Sequence, residues 1–283
     1  MFQRIAAFFL GLWSCLMGWL GITRPPIRNV VYAAQSERQR VDIYLPWAKG
    51  ETDVLLFIHG GGWAAGDKSG YSSLCKKYAS KGYAVAAMNY RFIHLDLPPE
   101  QQSANCGDML DDIGNAIAAL KAKMLEKGYT PRRMAISGGS AGGHLTLLYA
   151  YSRGAQSPIP IAFLFPDVGP TDFTDPAYYG APNPLVLDLL PLLAGRADYD
   201  AQAMSPLRFV TPAAPPTLLR YGAHDELVPL SQGTLLKAAL DAAGVRCDLL
   251  VYPNSGHGLE SKADAPLNAQ HEALLKEYFE AYF

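Results

Sequence analysis

The chain has 283 residues, of which 49% are hydrophobic and 18% are charged. A sequence this apolar predicts a folded protein with a large core and excludes an intrinsically disordered chain. Its formal net charge of −2 includes no basic surplus, which argues against nucleic acid as a partner. The length fits one domain with an N-terminal extension, whereas two folded domains would be cramped.

The N-terminus is a hydrophobic leader. Residues 5–22 are apolar apart from Ser14, and Arg24 with two prolines follows them. This length is short for a membrane-spanning helix and long for the core of a signal peptide. We expect residues 1–23 to be a leader or membrane anchor, so that the protein is exported or membrane-attached on the extracytoplasmic side. The leader could be kept as an anchor, cleaved, or acylated at Cys15. The alternative interpretation is that this segment is a core helix of the main domain.

The first motif that carries chemistry is a glycine-rich loop. Val54–Ile58 is a continuous apolar run, typical of an inner strand of a parallel sheet, and His59-Gly60-Gly61-Gly62-Trp63 follows it directly. Loops of this kind donate backbone N–H groups to the oxyanion hole of lipases and esterases, because glycines leave the main chain unshielded. The alternative is a tight turn with an incidental histidine.

The second motif is a nucleophile elbow centred on Ser140. Gly138-Gly139-Ser140-Ala141-Gly142 contains Gly-x-Ser-x-Gly, the pattern of a sharp turn that presents a serine at its tip. Arg132–Ser137 before it is predicted to be a strand, and His144–Ala150 after it a helix. This context favours a catalytic serine over a plain glycine-rich turn.

An irregular insertion follows the elbow. From about Pro166 to Pro216 the chain is crowded with proline, aromatic residues and short apolar patches, without simple alternation of strands and helices. Such an insertion would lie over the ends of the strands and shape a pocket as a small cap. An irregular surface excursion with one packed helix is the alternative.

The acid and the base come next in the chain. Asp225 follows a strand predicted over Pro216–Gly222, at the end where open α/β sheets place functional groups. His257 lies between two glycines after a strand predicted over Cys247–Tyr252. The order Ser140, Asp225, His257 is the one that the nucleophile-elbow enzymes use. Glu226 is the close rival to Asp225.

The other histidines have simpler interpretations. We expect His59 to hold its loop through a side-chain bond, and His144 to pack or hydrogen-bond locally within its helix. His271 is expected on the solvated face of an amphipathic C-terminal helix. The cysteines outside the leader are Cys75, Cys106 and Cys247, and a Cys75–Cys106 disulfide and three free thiols both stay open.

These ordered motifs resemble the esterase/lipase branch of the α/β-hydrolases, from about Val31 to the C-terminus. The chain is most similar to the hormone-sensitive-lipase-like and bacterial feruloyl- or acetyl-esterase-like families. The motifs that carry the resemblance are His59–Trp63, Gly66-Asp67-Lys68, Asn89-Tyr90-Arg91, Gly138–His144, Tyr221–Pro229 and Gly256-His257-Gly258, with Val41–Pro46 as an early strand. Gly139 precedes the serine where the hormone-sensitive-lipase-like branch often carries an acid, which favours the feruloyl/acetyl-esterase-like branch.

The resemblance implies an α/β-hydrolase fold, a mostly parallel sheet flanked by helices, for residues 24–283 with the insertion around 166–216. It also implies that Gly61, Gly62 and Ala141 form the oxyanion hole. The predicted function is hydrolysis of small-molecule esters with short to modest acyl groups, through Ser140, His257 and Asp225 and an acyl-enzyme. The mechanism requires no metal or cofactor.

Two other functions stay in view. An amide hydrolase of the formamidase or exopeptidase type would use the same three residues. A non-catalytic binding module would be expected to lack a catalytic residue or an oxyanion glycine, and this sequence keeps them all. By its position, Trp63 is expected to line the substrate pocket, or alternatively to pack beneath its loop.

Overall fold

The computed structural model describes residues 23–180 and 185–283, so the leader predicted over residues 1–23 lies, apart from Thr23, outside the described residues. Eight strands form one sheet in the order β1-β2-β4-β3-β5-β6-β7-β8. The strands are β1 Ile27–Val31, β2 Arg40–Tyr44, β3 Gly50–Ile58, β4 Ala84–Met88, β5 Tyr129–Gly138, β6 Ile161–Leu164, β7 Thr217–Gly222 and β8 Cys247–Tyr252. The α-helices are α1 Ser72–Ser80, α2 Cys106–Glu126, α3 Ala141–Arg153, α4 Leu185–Ala194, α5 Ser231–Ala242 and α6 Ala265–Tyr282.

The sheet is mostly parallel. Strand β2 runs antiparallel to both β1 and β4, whereas β4, β3, β5, β6, β7 and β8 pair in parallel. Parallel strands need crossover helices, which cover both faces of the sheet and make its inner strands apolar on both sides. The predicted fold class, a mostly parallel sheet flanked by helices, is confirmed.

Two hydrophobic clusters cover opposite faces of the sheet. Leu56 and Ile58 of β3 belong to one cluster, whereas the alternating residues Leu55 and Phe57 belong to the other. Cys106 lies in the first cluster and Cys75 in the second. The sheet separates these two thiols, so the Cys75–Cys106 disulfide is ruled out. Both cysteines and Cys247 are free and buried.

Helix α6 corrects the prediction for His271. The helix covers one face of the sheet with Leu275 and Tyr278, as the apolar stripe predicts. His271 lies on this covered face and is only 9% exposed, so its placement on a solvated face was wrong. Burial lowers the pKa of the imidazole to about 4, because the protein interior disfavours its charged form.

The chain between β6 and β7 is irregular, as its composition predicts. The described residues of this segment, 165–180 and 185–216, contain short 3₁₀ turns and the helix α4. Val186, Leu189, Leu190 and Leu193 form the buried face of α4, which packs on the main core. A Cβ built on Gly62 would lie 3.5 Å from Leu189 Cδ1, so α4 borders the glycine-rich loop.

No helix among residues 23–180 and 185–283 combines the length and the apolar character needed to cross a membrane.

Candidate active site

Ser140 lies at a strained turn between β5 and α3. Strand β5 ends at Gly138 and α3 begins at Ala141, which leaves Ser140 with φ 55° and ψ −121°. A non-glycine residue rarely adopts such angles and does so only where its surroundings impose them. A Cβ on Gly142 would lie 2.6 Å from the His59 carbonyl oxygen, and a Cβ on Gly138 would lie 2.5 Å from the Ile58 carbonyl oxygen. The glycines therefore allow the elbow to press against the end of β3.

The glycine-rich loop lies directly beside the elbow. A Cβ on Gly60 would be 2.7 Å from the Gly139 carbonyl oxygen and 3.4 Å from Ser140 Cβ. Three successive residues adopt left-handed angles: Gly61 with φ 115°, Gly62 with φ 57° and Trp63 with φ 57°. With these angles the peptide groups do not form the hydrogen bonds of a regular strand or helix. A loop that presents its N–H groups to a ligand needs such a backbone.

The predicted oxyanion donors have no partner within the described residues. The N–H groups of Gly61 and Gly62 donate no hydrogen bond to any of residues 23–180 or 185–283. The same holds for Ala141, the first residue of α3, where a helix leaves its N–H groups unpaired. Unpaired N–H groups beside a serine can receive the negative charge of a carbonyl oxygen under attack.

Trp63 packs beneath the loop instead of facing the cleft. Its side chain is 1% exposed, and its Nε1–H donates to His144 Nδ1 at 3.1 Å. His144 Nε2–H in turn donates to the Met204 carbonyl oxygen at 2.8 Å. The indole thus ties the loop to α3 and to the insertion. The geometry gives no support to a substrate contact by Trp63, and matches the alternative of packing under the loop.

His59 and His144 are structural histidines. His59 Nδ1–H donates to the Gly60 carbonyl oxygen at 2.8 Å, and its ring stacks on Tyr90 with centroids 4.5 Å apart. Arg38 Nη2 lies 3.3 Å from His59 Nε2, so this nitrogen accepts. Burial lowers the pKa of both imidazoles to about 4. Both rings are therefore neutral at pH 7, and each holds backbone in place.

The predicted base and acid form a hydrogen-bonded pair. His257 Nδ1 lies 2.7 Å from Asp225 Oδ2. Asp225 has a fully buried side chain, and its Oδ1 accepts the N–H groups of Leu227 and Val228, each at 2.9 Å. These bonds fix the carboxylate in one orientation. His257 Nδ1–H is therefore the donor, which leaves the Nε2 lone pair free to accept a proton.

Two other carboxylates, the rival Glu226 and Asp248, do not contact His257. Glu226 points into solvent beside Asp225. Asp248 lies on the edge strand β8, where Oδ2 accepts from Arg246 at 2.8 Å and from Tyr278 at 2.9 Å. Neither reaches His257, so Asp225 is the residue that the structure pairs with the histidine.

Ser140 and His257 line the same open cleft, a cavity of about 360 Å³. The half-buried His257 is 26% exposed, which leaves room for a substrate to approach its ring. Within the described residues, Ser140 Oγ makes no hydrogen bond to His257. In hydrolases without substrate such bonds are often long and tighten when substrate binds.

Two charged residues of the cleft escaped the sequence analysis. Asp167 and Arg220 form an ion pair in its wall, with Arg220 Nε 2.6 Å from Asp167 Oδ1. Neither belongs to a motif, and Arg220 falls inside the predicted strand Pro216–Gly222. Their one signal is their position near the carboxyl ends of parallel strands, the edge where α/β sheets place functional groups.

Comparisons with known proteins give one family model and several enzymes as relatives. The BD-FAE family model matches residues 41–240. The probable carboxylic ester hydrolase LipM of Mycobacterium tuberculosis is 31% identical over 224 residues, which are 72% of this chain and 49% of LipM. The acylamino-acid-releasing enzyme of Rattus norvegicus is 30% identical over 211 residues, 69% of this chain and 27% of that enzyme. The chain thus spans about half, or less, of the length of these relatives.

The solved structure of esterase B from Lactobacillus Rhamnosis shares the fold. It superposes with a TM-score of 0.71 at 20% sequence identity, and the match covers 99% of this chain and 96% of that one. At this identity the likeness establishes the architecture alone, which is that of the α/β-hydrolases.

Proposed function

Because this chain belongs to the BD-FAE family of α/β-hydrolases, we propose that it is a serine esterase that hydrolyses small carboxylic esters with short to modest acyl groups. The observation that carries the proposal is the alignment of Asp225 with His257 at 2.7 Å, in the same cleft as the strained Ser140. The name of LipM, a probable carboxylic ester hydrolase, supports ester hydrolysis as the reaction class.

The first half of the proposed reaction acylates Ser140. As Ser140 Oγ attacks the ester carbonyl carbon, its proton moves to His257 Nε2. Asp225 holds the ring in the required tautomer and stabilises the imidazolium ion that forms. The tetrahedral intermediate then expels the alcohol, which takes the proton from Nε2, and an acyl-enzyme remains.

The second half restores the enzyme. A water molecule gives a proton to His257 Nε2 and attacks the acyl carbonyl carbon. The second tetrahedral intermediate releases the carboxylic acid, and Ser140 Oγ recovers the proton from Nε2. Each half therefore transfers one proton to the histidine and returns it, so no other co-reactant is needed.

The oxyanion of both intermediates would be held by backbone. The N–H groups of Gly61, Gly62 and Ala141 lie close to Ser140 and have no partner among residues 23–180 and 185–283. Because the strained loop holds these donors before substrate arrives, no reorganisation is needed as charge develops. A single donor of this kind is typically worth about 3–4 kcal/mol in the transition state.

The test is hydrolysis of a p-nitrophenyl ester series from acetate upward by the chain starting after Arg24. We expect turnover of the short esters, and a loss of about 10⁴-fold or more in Ser140→Ala with binding retained. Ser137→Ala is a matched control, because this buried serine lies on β5 just before the elbow and donates to the Phe165 carbonyl oxygen. A folded wild-type protein that is inert on every ester, or a Ser140→Ala variant of unchanged activity, would overturn the proposal.

An amide hydrolase is the second candidate, and one relative favours it. The acylamino-acid-releasing enzyme of Rattus norvegicus matches 69% of this chain. The same assay therefore includes N-acylamino-acid anilides and formyl amides beside esters of equal acyl length. A kcat/KM that is higher on the amide than on the matched ester would replace the esterase proposal with this one.

We also propose that residues 1–23 direct export or membrane attachment. The support is the apolar run of residues 5–22. Fractionation of cells expressing the full chain, compared with the chain starting after Arg24, tests this directly. Equal recovery of both proteins in the cytoplasmic fraction would contradict it.

A further inference from the structure

The catalytic cleft contains an ion pair that the proposed reaction does not use. Arg220 Nε and Nη2 lie 2.6 Å and 2.5 Å from the two oxygens of Asp167, a bidentate arrangement. The side chains are 21% and 26% exposed, respectively, and both line the cavity that holds Ser140 and His257. The pair is therefore half-buried and in reach of a bound substrate.

The backbone fixes this pair against the nucleophile. Ser140 N–H donates to the Asp167 carbonyl oxygen at 2.9 Å, and Asp167 N–H donates to the Gly138 carbonyl oxygen at 2.9 Å. On the other side, Val168 N–H donates to the Arg220 carbonyl oxygen at 2.9 Å. Since Asp167 is bonded to the elbow and Arg220 to the next strand, the two charges have a fixed position beside the reacting serine.

The net charge of this wall is zero. In the part of the chain that the structure describes, neither Asp167 nor Arg220 forms a second ion pair. Two titratable neighbours of the pair add no charge at pH 7: burial raises the pKa of Tyr71 to about 12 and lowers the pKa of His271 to about 4. One carboxylate and one guanidinium thus compensate each other in this wall.

We propose that the Asp167–Arg220 pair sets the charge selectivity of the cleft, admitting uncharged esters and disfavouring anionic and cationic ones. This inference rests on the proposed esterase function. A charged substrate group that binds beside this half-buried wall loses part of its hydration. It gains no ion pair in return, because Asp167 and Arg220 already neutralise each other. Removing one partner would leave the other uncompensated, and that charge would attract substrates of opposite sign.

The experiment compares three p-nitrophenyl butanoates whose terminal carbon carries hydrogen, a carboxylate or a trimethylammonium group. A second series places the same groups on the alcohol of a phenyl acetate, so that both sides of the scissile bond are examined. The kcat/KM of each charged ester is divided by that of the neutral one. This charge ratio is then measured for wild type, Asp167→Asn, Arg220→Gln and the double variant.

In at least one series, Asp167→Asn should raise the ratio for the anionic ester about tenfold or more, and Arg220→Gln should do the same for the cationic ester. Both gains should shrink as salt is added. The double variant is uncharged again, so its ratios should return toward those of wild type. Arg246→Gln, which breaks a pair with Asp248 on the outer strand β8, should change no ratio.

A structural role alone predicts a different pattern. If the pair only holds β7 against the elbow, each variant lowers kcat/KM for all esters by one factor, and the charge ratios stay constant; that result overturns the proposal. If a single variant fails to fold, the wild-type ratios still decide: a charged ester that the wild type hydrolyses as well as the neutral one, in both series, would overturn the proposal. A wild-type enzyme that is inert on all esters, including the neutral ones, would instead refute the esterase function itself.

Discussion

The nucleophile side of the cleft, residues 59–63 and 138–142, is positioned mainly by its backbone, whereas the acid–base side, residues 222–228 and 253–258, is positioned by side-chain hydrogen bonds. On the first side, glycines and residues with left-handed backbone angles allow two backbone segments to pack closely together. On the second side, Asp225 binds two N–H groups of its own loop. Asp264 holds the loop before His257 by accepting from Asn254 N–H at 3.0 Å and from Ser255 Oγ at 2.6 Å.

This difference reflects what each side must present. An oxyanion hole and a strained serine need main-chain groups at close range, which only glycines allow. A general base needs a ring with one nitrogen oriented and the other free, which a buried carboxylate provides. Substitutions should therefore damage the two sides in different ways. The nucleophile side should lose activity when a substitution adds volume. The acid–base side should lose activity when a substitution removes a charge or a hydrogen bond.

The largest expected effect is on the acid–base side. Asp225→Asn keeps the size of the side chain but replaces the carboxylate oxygen that accepts from His257 Nδ1–H. The imidazole then loses its tautomer preference and its counter-charge, so kcat should fall by about 10⁴-fold. The measurement is steady-state hydrolysis of p-nitrophenyl acetate. Glu226→Gln alters the neighbouring exposed carboxylate and should leave kcat unchanged, while equal losses in both variants would contradict the assignment of Asp225.

The next largest effect is expected on the nucleophile side, which is positioned by its backbone. Gly142→Ala would place a Cβ within 2.6 Å of the His59 carbonyl oxygen, so the elbow must move away from β3. Overpacking of this kind costs about 1–3 kcal/mol, and it should lower the melting temperature by several degrees together with activity. Gly70→Ala adds the same methyl group in open space and should alter neither quantity. A Gly142→Ala variant as stable and active as wild type would contradict the close packing at the elbow.

The smallest effect concerns the buried histidines of the nucleophile side. The folded-state pKa of His144 is about 4, below the value of about 6.5 expected in the unfolded chain. Between these values the unfolded chain binds more protons, so the free energy of unfolding falls as pH is lowered from 6.5 toward 4. The slope is at most about 1.4 kcal/mol per pH unit for one histidine.

This pH dependence is measured by urea unfolding at several values between pH 6.5 and 4. His144→Gln removes one titrating group and should flatten the dependence by up to one proton. His94→Gln, at an exposed loop position, serves as the control and should leave the slope as it is. A His144→Gln slope that matches that of wild type would mean that His144 is not buried in its neutral form.

The sequence allowed the fold and the order of the chemical groups to be predicted, because both depend on local patterns. The strand predicted over Cys247–Tyr252 has those bounds in the structure, and the helix predicted over His144–Ala150 is present but longer, from Ala141 to Arg153. Continuous apolar runs mark buried parallel strands, and glycines at fixed spacing mark the two turns that need them. The prediction of Asp225 and His257 used their positions after such strands, and the structure pairs them.

The features that were missed depend on contacts between distant segments. His271 is buried because the face of α6 that carries it packs toward β6 and β8. The sequence of α6 alone does not indicate this packing. Trp63 packs on His144, 81 positions further along the chain. In the sequence, nothing distinguishes Arg220 from other strand residues. Its ion pair with Asp167, which lies 53 positions earlier in the chain, forms only in the folded protein. Such partners are fixed by tertiary packing, not by local pattern.

The most direct test of the central claim is covalent labelling with a fluorophosphonate, followed by mass spectrometry of the peptides. A fluorophosphonate phosphonylates a serine that a neighbouring base activates and releases fluoride. The proposed mechanism predicts one adduct, on Ser140, that disappears in Ser140→Ala and forms far more slowly in Asp225→Asn. An adduct on another serine, or continued ester hydrolysis by protein whose Ser140 is fully labelled, would contradict it.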